Sequence, residues 1–104
     1  MEQDIIKDEF NEAIQKLFHG EIMERAAAAR KLGNLKEGRA VNLLIKALNK
    51  ENDAVVINRI IEAMGEIRNS KSTLSILQFL SKELEKTEEN QDKTRLFLII
   101  DSLM

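Results

Sequence analysis

Ala28-Ala29-Arg30-Lys31-Leu32-Gly33 and Ile60-Ile61-Glu62-Ala63-Met64-Gly65 are two versions of one pattern, 32 residues apart. The match continues past each glycine. Asn34-Leu35-Lys36 aligns with Glu66-Ile67-Arg68, then Leu44 with Ile76 and Leu48 with Leu80. A fixed period of this length marks stacked helical repeats, in which each unit buries its apolar side only against its neighbours. A third copy, Ile99-Ile100-Asp101-Ser102-Leu103, repeats Ile60-Ile61-Glu62-Ala63-Met64 at a displacement of 39. The extra residues fall in the charged stretch from Glu83 to Asp92, lengthening the helices or their connection. Upstream, Phe10, Ala13, Ile14 and Leu17 align with Val41, Leu44, Ile45 and Leu48 at a spacing of 31. Three helix pairs, with units at about 3–35, 36–68 and 69–104, account for almost the whole chain as a single repeat domain.

Apolar periodicity places six helices. The first spans Gln3 to Phe18, with Ile6, Phe10, Ala13, Ile14 and Leu17 on one stripe. His19-Gly20 breaks it, the glycine being suited to a left-handed exit. The second spans Glu21 to Leu32 and is ended by Gly33; the third spans Gly38 to Asn49 and buries Val41, Leu44, Ile45 and Leu48. Asn52 or Asp53 is suited to cap the fourth, which Gly65 ends. The fifth starts near Ser70 or Ser72, either able to cap it, and carries Leu74, Leu77, Phe79 and Leu80; the sixth spans Lys93 to Met104. Leu32 and Met64 are core knobs, and Ala27 and Ala28 allow a close helix approach. A coiled coil would need an unbroken heptad seam, which the glycines interrupt.

Composition agrees with an all-α chain: no proline, no cysteine and four glycines in 104 residues. The lack of cysteine excludes a disulfide framework and thiolate chemistry. No apolar run approaches the roughly 20 residues of a membrane span, and Met1-Glu2-Gln3-Asp4 is too acidic for a targeting peptide. A cytoplasmic protein is the expectation. Acidic residues dominate positions 1 to 21 and basic ones positions 22 to 50, an alternation that suits salt bridges between neighbouring helices.

Arg25-Ala26-Ala27-Ala28-Ala29-Arg30-Lys31-Leu32-Gly33-Asn34-Leu35, followed by Arg39-Ala40-Val41 and Leu43-Leu44, resembles the HEAT-like repeat. More narrowly, it resembles the phycobilisome-lyase type, with its arginine, alanine-rich run, leucine-glycine and downstream alanine-valine. The second unit departs from that pattern, since Arg59 stands where a small residue is usual and Ile57-Asn58 replace the arginines. The third keeps only the apolar skeleton, without the closing glycine. The resemblance implies a short right-handed α-α superhelix of three helix pairs, the second helix of each lining the concave side. Such repeats serve mainly as interaction scaffolds.

No residue constellation suits catalysis or a cofactor. His19 is the only histidine and sits in a helix-end turn. The paired His-Glu motifs of HEAT-repeat hydroxylases therefore lack their ligands, and neither a metal nor an enzymatic activity is expected. Asp8-Glu9 and Glu88-Glu89 lie in hydrophilic stretches that read as solvated helix surface. Arg25, Arg30 and Arg59 on the concave side would suit nucleic acid. However, Glu24, Glu62, Glu66 and Asp101 share that region, the net charge is −2, and there is no tyrosine or tryptophan to stack on bases. The expected function is a non-catalytic protein-interaction module or adaptor. Arg25, Arg30, Arg59 and Glu62 would supply charge pairing, and Ile61, Phe97 and Ile100 apolar contact. Reversing Arg25 and Arg30 to glutamate is expected to weaken partner capture yet leave helicity and melting nearly unchanged. The final helix, Thr94-Arg95-Leu96-Phe97-Leu98-Ile99-Ile100, lacks the polar outer face of a terminal cap. The C-terminal unit is therefore expected to pack on a partner protein or a second copy of the chain. An accessory subunit of a chromophore- or cofactor-lyase complex is the alternative that the resemblance implies.

Overall fold

The computed structural model describes residues 2–86 and 91–103, with side chains from residue 9 onward in those spans. Glu88, Glu89, Met104 and the side chains of Ile6 and Asp8 lie outside the described residues. The described chain forms six helices: α1 Glu2–His19, α2 Ile22–Leu35, α3 Ala40–Lys50, α4 Ala54–Ile67, α5 Ser70–Glu85 and α6 Lys93–Leu103. They pack as an elongated helical stack of 51 × 28 × 17 Å.

The helices follow their apolar stripes. Phe10, Ala13 and Leu17 bury one side of α1, and Val41, Leu44, Ala47 and Leu48 one side of α3. The second helix of each pair carries the spine of the core: Ala28, Ala29 and Leu32 on α2, Ile60, Ile61 and Met64 on α4, Ile99 on α6. Each fully buried leucine or isoleucine contributes about 1.5–3 kcal/mol relative to exposure. Helix α4 sits centrally, packed on both α2 and α6 and supported by α3 and α5. Arg39 closes the first pair onto the second by lying over the Phe10 ring, 4.4 Å from its centroid.

The repeating glycines act differently from the sequence expectation. Gly33 and Gly65 lie inside α2 and α4, which run on to Leu35 and Ile67. The left-handed residues that end these helices are Lys36, with φ 51°, and Arg68, with φ 55°, and no described glycine has a positive φ, Gly20 included. Lys36 N–H donates to the Gly33 carbonyl at 3.1 Å, and Arg68 N–H to the Met64 carbonyl at 3.2 Å. The glycines recur because of what crosses them. A Cβ on Gly33 would stand 2.8 Å from Ala63 Cα, and one on Gly65 would stand 2.7 Å from Ser102 Oγ. Each second helix thus presents a bare backbone seat to a small residue of the next: α2 to Ala63 of α4, α4 to Ser102 of α6.

Helix α4 is capped by Asp53, whose Oδ1 accepts from the amides of Val55 and Val56 at 2.9 and 3.1 Å. Helix α5 is capped by Asn69, which accepts from Lys71 N–H at 2.9 Å, and not by Ser70 or Ser72. Ser72 faces the core at the repeat position of Ala40. It is buried, and its hydroxyl has no hydrogen-bond partner among the described atoms. Ser72→Ala is therefore expected to stabilise the fold by about 1 kcal/mol, by removing an unsatisfied hydroxyl and improving helix propensity. A thermal melt should show a rise of about 4–8 °C. Part of the insertion before the third copy lengthens a helix, since α5 has 16 residues against 11 in α3.

Candidate interaction surface

Three surfaces bring charged or apolar side chains together. The first lies where α2 meets the α3–α4 loop, and one of the predicted contact residues, Arg25, belongs to it. Glu51 sits just past α3 with little of its side chain exposed. Its carboxylate takes a two-pronged hydrogen bond from Arg25, at 2.9 Å from Nε and 3.1 Å from Nη2. The same group accepts from the amides of Asn52 and Asp53 at 3.2 Å each. The third arm of Arg25 donates to the Gly20 carbonyl at 3.0 Å. Burial works against ionisation of Glu51, but the Arg25 hydrogen bond, the loop amides and the Arg25 charge outweigh it and hold the carboxyl below its usual range.

Arg25 is thus a structural strut between successive helix pairs and not a free groove cation. That overturns the expectation for the double reversal. Arg25→Glu is expected to lower the melting temperature markedly, because it sets two carboxylates against each other at a tight loop. Arg30, exposed and without an ion pair among the described residues, is the separable probe, and Arg30→Glu is expected to melt within about 2 °C of the native chain.

A second strut repeats the device one unit further on, at a residue that the sequence places in the charged insertion. Glu83 is buried. It accepts from Asp92 N–H at 2.7 Å, pairs with Lys86 Nζ at 2.7 Å, and lies 3.8 Å from Arg95 Nη1. Arg95, also buried, reaches Asn58 Oδ1 on α4 at 3.4 Å. Glu83 lies 32 residues after Glu51, so the repeat register carried the signal, masked by its acidic neighbours.

The second surface is the cleft of about 560 Å³ between α4 and α6, lined by Lys36, Glu62, Glu66, Arg68 and Asp101. Both signs of charge meet there, and Glu62 already holds Arg59 at 3.2 Å. Ile61, expected beside them as an apolar contact, is 0 % exposed. Its side chain belongs to the core, because α6 lies directly over that position and Ser102 Oγ donates to the Ile61 carbonyl at 3.4 Å.

The third surface is the side of α5–α6 turned away from α3–α4. On α4, Asn58, Ile61 and Gly65 face α6. The same helical positions on α6 carry Phe97 and Ile100, which are 69 % and 51 % exposed. Leu77 and Leu84 of α5, seven residues apart, are likewise exposed apolar residues of this unit, as is Leu74. Sequence reasoning found Phe97 and Ile100 and missed the exposure of Leu77 and Leu84.

A model of HEAT repeats matches residues 10–89. The chain belongs to the HEAT-repeat family. No curated protein matches it at a significant level. HEAT repeats generally mediate protein–protein interaction and act as non-enzymatic scaffolds, which suits the charged and apolar surfaces of this stack. The match is to HEAT repeats in general and does not extend to the phycobilisome-lyase type. Among the described residues of this HEAT protein, no helix is long and apolar enough to cross a membrane.

Proposed function

We propose that this HEAT protein is an interaction module that binds another protein chain through the outer side of α5–α6. The observation that carries the reading is one repeat position seen three times. Ala29 and Ile61 are both 0 % exposed, each covered by the next helix pair, whereas Ile100 at the same position is 51 % exposed. A surface built to the pattern of an inter-repeat contact, in a unit that also exposes Phe97, Leu77 and Leu84, is a docking face for helical protein. Arg30, Arg59, Glu62 and Asp101 lie along the neighbouring second helices, where charge governs the rate and selectivity of encounter more than affinity.

Two competing readings draw less support. Nucleic-acid binding needs free cations, and Arg25 and Arg59 are committed to Glu51 and Glu62. The accessory-lyase reading rests on sequence likeness alone. The test compares proteins retained by the immobilised native chain with those retained by Phe97→Glu/Ile100→Glu and by Met23→Glu, a control at the opposite end. The reading expects the outer-face variant to lose at least ten-fold of the bound protein and the control to keep it. Equal retention by all three would overturn it.

A further inference from the structure

We propose that the cleft between α1 and α2 is a binding site for a small aromatic cation, a flat ring system carrying one ammonium group. The cleft lies at the other end of the stack from the α5–α6 face and is independent of docking there.

The cleft measures about 280 Å³ and is lined by residues of α1 and α2 alone. It exists because the first unit departs from the repeat in two ways at once. Ala13 and Ala28, both nearly buried, form its floor where the second unit carries Leu44 and Ile60. Two methyl groups in place of leucine and isoleucine leave the crevice between the helices unfilled. Around it, Glu9, Glu12, Lys16, Glu24 and Lys31 take repeat positions that are all alanine, leucine or valine in the second unit. A further helix pair stacked here would have to bury those charges, at a cost of several kcal/mol for each one left without close pairing. A small ligand can use the floor and leave the rim in water.

The rim has one open corner. Glu9 and Lys16 on α1, and Glu24 and Lys31 on α2, are each seven residues apart, or about 10 Å along a helix. At one end Lys31 Nζ reaches across the cleft to Glu9 at 3.9 Å. At the other, Lys16 is turned to Glu12 of its own helix, at 3.0 Å. The Lys16 ammonium is held above its usual value by the Glu12 hydrogen bond and charge first, and also by the Glu24 charge, so Glu24 stands within electrostatic reach of it. Yet Glu24 forms no ion pair among the described residues. Its Oε1 accepts from the Glu21 amide at 3.1 Å, and it is exposed. The rim therefore sets three carboxylates against two ammonium groups, and the carboxylate left over is at the Met23 end.

A ligand cation fits that corner, with its apolar body over Ala13, Ala27 and Ala28. Met23, 76 % exposed, supplies a flexible thioether wall of the kind that packs on aromatic rings. A cavity of about 150 Å³ holds one benzene ring, so this one holds two fused rings. An anion of the same shape meets the surplus carboxylate and lysines that are already paired, and is rejected.

The chain has no tryptophan or tyrosine, so the fluorescence of a naphthyl probe is read without background. Naphthylmethylammonium is expected to saturate the native chain with a Kd below about 1 mM, and naphthalenesulfonate to bind at least ten-fold more weakly. Glu24→Gln keeps an oxygen for the Glu21 amide. It is expected to weaken the ammonium probe at least five-fold and to leave neutral naphthylmethanol unchanged. Ala27→Leu, at an exposed helix position, fills the cleft and should weaken the ammonium probe and the alcohol alike, with helicity by circular dichroism unchanged. Absence of saturation, or full-strength binding by the Ala27→Leu chain, would overturn the site. Equal binding of ammonium and sulfonate, or a native preference between them in Glu24→Gln, would overturn the cation assignment.

Discussion

Gly33→Leu is expected to lower the melting temperature by about 12–24 °C, the equivalent of about 3 kcal/mol in a domain of this size. A leucine in a helix interior is favoured over glycine by up to about 1 kcal/mol in propensity, so the sign is decided by packing. The first added carbon would already sit 2.8 Å from Ala63 Cα and 3.0 Å from Ala63 Cβ. The nearer atom is backbone and cannot rotate away, so α2 and α4 must separate and open the core around Leu32 and Met64. Asparagine separates this account from the alternative. A glycine chosen for a left-handed helix exit tolerates asparagine, whereas one chosen as a seat does not, so Gly33→Asn should be as damaging as Gly33→Ala or more so. Gly38→Ala is the control: nothing lies within 4 Å of the added carbon, and melting should hold or rise slightly. The residue that does adopt the left-handed exit is Lys36, and Lys36→Gly is expected to stabilise by up to about 1 kcal/mol. Thermal melts of the five variants check the set.

The glycines show where the sequence was legible and where it was not. Repetition at 32 residues was readable because apolar spacing and the glycine recur together, and that gave the all-α stack and six helices to within a few residues. The purpose of the glycine was not readable. A residue without Cβ suits both a positive φ and a close crossing, and only the position of Ala63 and Ser102 in space separates the two. Arg25 presents the same limit in electrostatic form. Its charge is plain in the sequence, but the carboxylate that claims it lies 26 residues away on the far side of α3. Ile61 and Ile100 mark the limit most sharply, being the same residue at the same repeat position. One is sealed and the other half open because of the place of each in the stack and not because of its type. Phe97 was legible as apolar excess on an almost continuous apolar helix. Leu77 and Leu84 were not, since α5 carries apolar residues on two adjoining sides and the pattern does not say which side α6 covers.

The two glutamate struts give the stack a definite acid sensitivity. Burial pushes the Glu83 carboxyl upward, but the Lys86 hydrogen bond, the Asp92 amide and the charges of Lys86 and Arg95 together hold it below the ordinary value of 4.5, as Arg25 and its loop amides do for Glu51. With a folded pKa below the unfolded one, the unfolded chain binds more protons than the native chain in the window between them. The contribution of each strut is therefore complete above about 4.5 and is lost as pH falls through the depressed folded value. The melting temperature should stay level from about pH 7 to pH 5 and then decline on further acidification. Glu12 is also lowered, through its hydrogen bond to Lys16, but that pair is exposed on one helix face and adds little to the decline. Glu51→Ala carries the larger single effect. It leaves the Asn52 and Asp53 amides and the Arg25 guanidinium without their acceptor at the junction of two helix pairs. The expected loss is about 2 kcal/mol, kept modest because solvent reaches Arg25, or about 8–16 °C in melting. Glu51→Gln/Glu83→Gln should lower the neutral-pH plateau and flatten the acid limb, since neither amide takes up a proton in this range. An acid limb as steep as the native one in that double variant would place the sensitivity elsewhere in the fold. A flattened limb would assign it to the two carboxylates that brace one helix pair against the next.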